Sequence, residues 1–137
     1  MSDVDSAQVI RDAGLRATKP RILVYGVLRD VGGHCTAEEV AALVNDGGAP
    51  LPRASIYNVL DDLSRVELVM RADRGPGSAI YEIADVWHHH FVCRNCGAVA
   101  DVPCVIGSKP CLHAEVPGAI IDEAQIIFRG LCASCVE

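Results

Sequence analysis

The chain has 137 residues, half of them hydrophobic, and a formal net charge of −6. That length suits one compact domain or two very small ones, and the apolar content excludes an intrinsically disordered chain. No apolar run reaches the ~18–20 residues that span a bilayer, so no membrane partner is expected. The acidic balance counts against a general nucleic-acid coat protein, but sequence-specific binding needs only a local basic patch.

The opening stretch, Met1 to Gly14, is acidic and polar and unlike an export signal, so the chain is expected in the cytoplasm. In that reducing compartment seven cysteines point to metal ligation or redox chemistry rather than to a disulfide framework. Residues 5–14 read as a short amphipathic helix closed by Gly14. A basic patch follows, Arg11, Arg16, Lys19, Arg21 and Arg29 against the single acid Asp12. It is either a solvated helix face or a phosphate-binding surface.

Thr18 is a suitable N-cap and Pro20 sits in the permitted first turn of a second helix. Its apolar residues are Ile22, Leu23, Val27 and Leu28, and Gly32-Gly33 ends it. Thr36 with Glu39 has the spacing of a capping box. The helix it opens carries Val40, Leu43 and Val44 and stops at Asn45-Asp-Gly-Gly. A fourth helix starts near Arg53-Ala-Ser, carries Ile56, Val59, Leu60 and Leu63, and ends near Val66. Two strand-like runs, Leu68–Ala72 and Ala79–Ile83, flank the turn signal Arg74-Gly-Pro-Gly-Ser78. Helices followed by a two-stranded hairpin describe a winged helix-turn-helix, in which the last helix enters the major groove. A generic small helical domain is the competing reading.

Composition changes after the turn. Residues 86–137 are expected to hold strands at Phe91–Cys93, Ala98–Val102 and Ile120–Phe128, with no helix around Pro110. Cys93-Arg-Asn-Cys96 and Cys132-Ala-Ser-Cys135 are two Cys-x-x-Cys knuckles. Two such knuckles complete the tetrahedral sulfur site that Zn²⁺ prefers, and such a closed site has no open position for catalysis. Two independent redox dithiols are the alternative. Cys35, Cys104 and Cys111 remain as spare thiols and read as small buried hydrophobes. No Ser-His-Asp or nucleophile-elbow pattern is present, so no enzyme is expected.

Trp87 is followed by three histidines. On a strand, His88 and His90 share one face, ~7 Å apart, and His89 takes the other. Glu82 precedes them, Asp101 follows the first knuckle, and His34 stands at the entrance to the third helix. Imidazoles with carboxylates make a mixed nitrogen–oxygen set suited to Fe²⁺, Mn²⁺ or Zn²⁺. Surface histidines near a zinc knuckle are the plainer reading.

These residues together resemble the ferric uptake regulator (Fur) family along nearly the whole chain. The resemblance is carried by Gly14-Leu-Arg-x-Thr18-x-Pro20-Arg21, His34-x-Thr-Ala-Glu-Glu39, Ser55-Ile-Tyr57-x-x-Leu60, Tyr81-Glu82, His88-His-His90, Cys93-x-x-Cys96-Gly97 and Cys132-x-x-Cys135. It implies an α+β homodimer, with a winged-helix DNA-binding domain over residues 1–84 and a small α/β dimerisation and metal-binding domain over 85–137. It implies structural zinc on Cys93, Cys96, Cys132 and Cys135. The regulatory ligands become His34, Glu82, His88, His90 and Asp101, holding Fe²⁺ or Mn²⁺, with occupancy setting the spacing of the two recognition helices. The implied DNA contacts come from Arg16, Lys19, Arg21, Ser55, Tyr57 and Asn58, on a double-stranded, A·T-rich inverted-repeat operator. Arg16 would enter the minor groove and Tyr57 would contact thymine. Asn58 stands where arginine is frequent, so the arginine contact does not carry over, although asparagine is able to read adenine. Trp87 and Ala124 stand where some members place histidines of an additional metal site, so that site is not expected.

Asp101 stands where iron-uptake regulators usually carry glutamate. With Ala100-Asp-Val-Pro-Cys104, Pro110-Cys-Leu112, Asp122-Glu-Ala124 and Gly130-Leu-Cys132, it makes the chain similar to peroxide-sensing FurA-type regulators of actinobacteria. The resemblance then implies that peroxide acting at bound iron oxidises His34 or His88 and releases the repressor. An iron- or zinc-uptake repressor with the same ligands, a zinc-ribbon thiol redox protein and a metal-storage protein are the alternatives.

Overall fold

The computed structural model describes residues 3–48, 50–75, 78–84 and 87–136. It separates into two compact units, Met1–Ala84 and Asp85–Glu137. The fold is α+β.

The first unit opens with α1 (Asp3–Asp12) and α2 (Lys19–Val31). The Thr18 hydroxyl accepts from the Arg21 backbone N–H at 3.4 Å, and Gly32, at φ 67°, closes α2 in the left-handed conformation. Strand β1 (Cys35–Thr36) leads directly into α3 (Ala37–Asp46). The capping box is formed in both directions: Glu39 N–H donates to Thr36 Oγ1 at 3.1 Å and Thr36 N–H donates to Glu39 Oε1 at 3.0 Å. Helix α4 (Arg53–Arg65) then runs into β2 (Val69–Gly75) and β3 (Ser78–Ile83). The sheet order is β1-β3-β2, antiparallel throughout. The turn proper, Pro76-Gly77, lies outside the described residues.

The four apolar positions expected on α4 are all buried. On α2 the buried positions are Val24, Tyr25 and Leu28, while Ile22, Leu23 and Val27 are only partly covered. The inward stripe is therefore rotated by about one residue from the one read off the sequence. Leu43 on α3 is exposed, and Val40 and Val44 carry that helix into the core. Burial of Ile10, Leu28, Val40, Ile56, Leu60, Leu63 and Val69 joins the helices and the wing in one cluster. Helices ending in a short antiparallel wing make this unit a winged helix. The two-residue β1, which sequence reading missed, is the third strand of that wing.

The second unit is a three-stranded sheet of order β5-β4-β6, with β4 at His88–Cys93, β5 at Val99–Pro103 and β6 at Ile127–Gly130. β5 runs antiparallel to β4 and β6 runs parallel to it. The strand expected over Ile120–Phe128 is corrected: it begins at Ile127 and ends at Gly130. The reason is a hydrogen bond. The Ile126 backbone N–H donates to His89 Nδ1 at 3.2 Å, so this amide is spent on a side chain instead of a ladder. Upstream, Ile120 lies outside any strand and is 94% exposed. Among the described residues, no helix is long and apolar enough to cross a membrane.

Candidate metal centres and nucleic-acid interface

In the second unit the two knuckles meet. Cys93 closes β4, Cys96 lies in the following turn, and Cys132 and Cys135 lie just past β6. Because β6 pairs in parallel with β4, placing Cys93 opposite Gly130, the chain's end is delivered to the first knuckle. All seven cysteines are free thiols. The four Sγ atoms of the knuckles lie within 4.8 Å of one another, with Cys96 and Cys132 3.7 Å apart.

Cys93 Sγ accepts from the backbone N–H groups of Cys96 at 3.5 Å and Cys132 at 3.4 Å. Asn95 Nδ2 donates to Cys135 Sγ at 3.3 Å. The donors to Cys93 favour its thiolate: the N–H groups of Cys96 and Cys132 bring its pKa down to about 6. Cys96 goes to about 11: an Ala98 N–H favours its thiolate, but hydrogen bonding to Cys93 and Cys132 makes it a proton holder of the group. Four convergent sulfurs with amide donors aimed at them fit a tetrahedral zinc ion. They are not two separate dithiols, because each knuckle's sulfurs face the other's.

The same unit brings His88, His90 and Asp101 together. His88 and His90 project from one face of β4 with ring centroids 4.8 Å apart. Asp101 on β5 is the register partner of His90. Its Oδ1 lies 3.3 Å from His88 Nε2 and 3.8 Å from His90 Nε2. His90 is fully buried, while the Asp101 side chain is half exposed. In the first unit, His34 Nε2 lies 3.3 Å from Glu82 Oε2. The link is local to the wing: Cys35 on β1 pairs with Tyr81 on β3, setting the preceding His34 beside the following Glu82. Each unit thus supplies imidazole with carboxylate, the donor types a borderline divalent ion takes.

His89, on the opposite face of β4, is 4% exposed. Its Nε2 lies 3.2 Å from Cys111 Sγ, and the ligating atoms of His89, Cys104 and Cys111 lie within 4.8 Å of one another. This corrects the expectation for two of the spare thiols. Cys35 is a buried core residue, but Cys104 and Cys111 are half-buried and polar-partnered. Nothing in the sequence shows this grouping, because the two cysteines stand on irregular segments with no periodicity.

On the helical unit, Arg16 and Lys19 are exposed. Arg21 is committed internally, donating to Asp62 Oδ2 at 3.0 Å and to the Arg16 carbonyl at 2.9 Å. Tyr57 and Asn58 lie on the exposed face of α4, and Ser55 is half-buried. The Tyr57 hydroxyl donates to Glu38 Oε1 at 3.1 Å, and Arg53 pairs with the same carboxylate. That pairing with Arg53, with the tyrosine hydroxyl adding to it, holds the Glu38 carboxyl below its ordinary pKa.

Residues 12–106 match the model of the ferric uptake regulator family. The chain is 37% identical over 134 residues to the transcriptional regulator FurA of Mycobacterium tuberculosis, covering 96% of this chain and 90% of that protein. It is 39% identical over 137 residues to ferric uptake regulation protein 2 of Mycolicibacterium fortuitum, covering 96% and 92%. Among solved structures, the ferric uptake regulator of Pseudomonas aeruginosa with manganese superposes with a TM-score of 0.73 at 25% identity, covering 93% of this chain and 98% of that one.

Proposed function

Because this chain belongs to the ferric uptake regulator family, we propose that it is a metal-dependent transcriptional repressor that leaves its operator when peroxide oxidises its iron site. The observation that carries this reading is the placement of His88 and His90 around Asp101 on β4 and β5, beside a sulfur cluster suited to zinc. The cysteine cluster is the structural site: it ties the chain's end to the central strand. We assign His34, Glu82, His88, His90 and Asp101 to a regulatory Fe²⁺ or Mn²⁺, for which Zn²⁺ can substitute. Ferrous ion, when bound, supplies the electrons that cleave hydrogen peroxide. His34 and His88 would be the ligand imidazoles open to that oxidation.

The winged helix is the DNA-binding unit, with Arg16 and Lys19 exposed for phosphate and minor-groove contact and Tyr57 and Asn58 on α4 for the major groove. An A·T-rich inverted repeat matches a homodimer, since two-fold protein symmetry demands two half-sites. The apolar side chains left exposed in the second unit, Ile120 and Phe128 among them, support its role in dimerisation.

The test is anaerobic loading with Fe²⁺ or Mn²⁺, addition of hydrogen peroxide, and measurement of DNA binding together with the mass of the His34 and His88 peptides. The expected result is one added oxygen and loss of DNA binding in the iron form alone. If both forms hold DNA and neither histidine is oxidised, peroxide sensing is overturned and the protein is a metal-uptake repressor.

A further inference from the structure

The cluster of His89, Cys104 and Cys111 lies outside both metal centres, and its three candidate donor atoms invite a third one. The hydrogen bonds argue otherwise. Ile126 N–H donates to His89 Nδ1 at 3.2 Å, so Nδ1 contributes its lone pair there. A neutral imidazole has one lone pair and one N–H, so Nε2 carries the proton and points it at Cys111 Sγ, 3.2 Å away. A metal-bound histidine has the reverse arrangement, coordinating through one nitrogen and donating from the other. Protonating the ring does not help, because an Nδ1–H would then confront the Ile126 amide.

We propose instead that Cys104 and Cys111 form a peroxide-oxidisable dithiol, closing reversibly to a disulfide, with His89 holding Cys111 in place. The two thiols have different settings. Cys104 Sγ accepts from the Gly107 backbone N–H at 3.4 Å, whereas Cys111 donates its proton to the Ala124 carbonyl at 3.7 Å. The Gly107 amide lowers the Cys104 pKa, and burial with the neighbouring Cys104 raises that of Cys111. Cys104 is thus the attacking thiolate and Cys111 the resolving thiol.

In the first step the Cys104 sulfur attacks hydrogen peroxide. A sulfur–oxygen bond forms, the oxygen–oxygen bond breaks, and the departing hydroxide leaves as water with the Cys104 proton. In the second, Cys111 sulfur attacks that sulfenic sulfur, the sulfur–oxygen bond breaks, and water leaves with the Cys111 proton. Two thiols and one peroxide become one disulfide and two waters. The sulfurs need close only from within 4.8 Å to about 2 Å, over a loop of irregular backbone. The bond would tether the end of β5, three residues past Asp101, to the segment beside Ala124.

The inference is independent of iron chemistry, and its experiment excludes it. Full-length protein with structural zinc and Mn²⁺, free of iron, is treated with hydrogen peroxide, alkylated and mapped by mass spectrometry. The expected result is joint loss of Cys104 and Cys111 from the alkylated pool, a linked peptide lighter by two hydrogens, and recovery on adding a dithiol reductant. Cys111→Ser should halt at a Cys104 sulfenic acid that a 1,3-diketone traps, and Cys104→Ser should leave Cys111 alkylatable. Persistence of both thiols in the wild-type protein overturns the proposal. So does loss of one bound zinc or copper per chain in Cys104→Ser, which would make the cluster a metal site.

Discussion

Arg21 on α2 and Asp62 on α4 are joined by an ion pair of 3.0 Å, and the same guanidinium donates to the Arg16 carbonyl at 2.9 Å. One side chain therefore links two core helices to the loop that presents the exposed Arg16. Both partners are largely covered, so the pair is less screened than a surface bridge. Asp62→Ala should lower stability by about 1 kcal/mol and leave Arg16 less well placed. A thermal melt together with an operator-binding titration checks both effects; an unchanged melt would mean that the pair contributes nothing.

Arg16 itself is exposed, and its proposed partner is the DNA. Arg16→Ala should weaken operator binding and reduce the slope of log affinity against log salt by about 1. Binding titrations at several salt concentrations decide it. An unaltered slope would remove Arg16 from the interface.

The α3 capping box predicts a local cost. Thr36→Ala removes the acceptor for the Glu39 N–H and should destabilise the winged helix by about 1 kcal/mol. Thr36→Ser, which keeps the acceptor, should restore most of the loss in a denaturant melt.

In metal-free protein, Cys93 and Cys96 should lose their protons far apart. Cys93 should titrate near pH 6 and Cys96 near pH 11, as read by ultraviolet thiolate absorbance. Since the Cys93 pKa falls from 9.0 on folding, its contribution to stability is fully present above pH 9 and is lost as pH falls through about 6. Cys96 has the opposite sign, its contribution present below pH 9 and lost as pH rises through about 11. A Cys93→Ser protein that keeps the low step would refute the assignment.

Asp101 is the cross-strand partner of His90 and lies against His88. Asp101→Glu adds one methylene where the carboxylate meets both imidazoles. DNA binding should survive while release by peroxide is blunted. Equal peroxide sensitivity in the two proteins would refute a geometric role for Asp101.

The sequence by itself determined what is carried by near neighbours. The Thr36–Glu39 box, the α4 stripe of Ile56, Val59, Leu60 and Leu63, and the alternation of His88 and His90 are legible because three- or four-residue and two-residue periodicities are local geometry. The convergence of the four knuckle cysteines was legible too, because Cys-x-x-Cys spacing is itself local. Only the tertiary structure decided which distant groups meet. Arg21 reads as one cation of a basic run, and only the fold shows it paired with Asp62, 41 positions on. β6 starts at Ile127, not Ile120, because His89, 37 positions earlier, captures the Ile126 amide. Cys104 and Cys111 read as core filler until β4 brings His89 against them. Each of these outcomes depends on a hydrogen bond across chain segments. Such a bond forms only after helix packing or strand pairing has brought its donor and acceptor together, so local sequence holds no record of it.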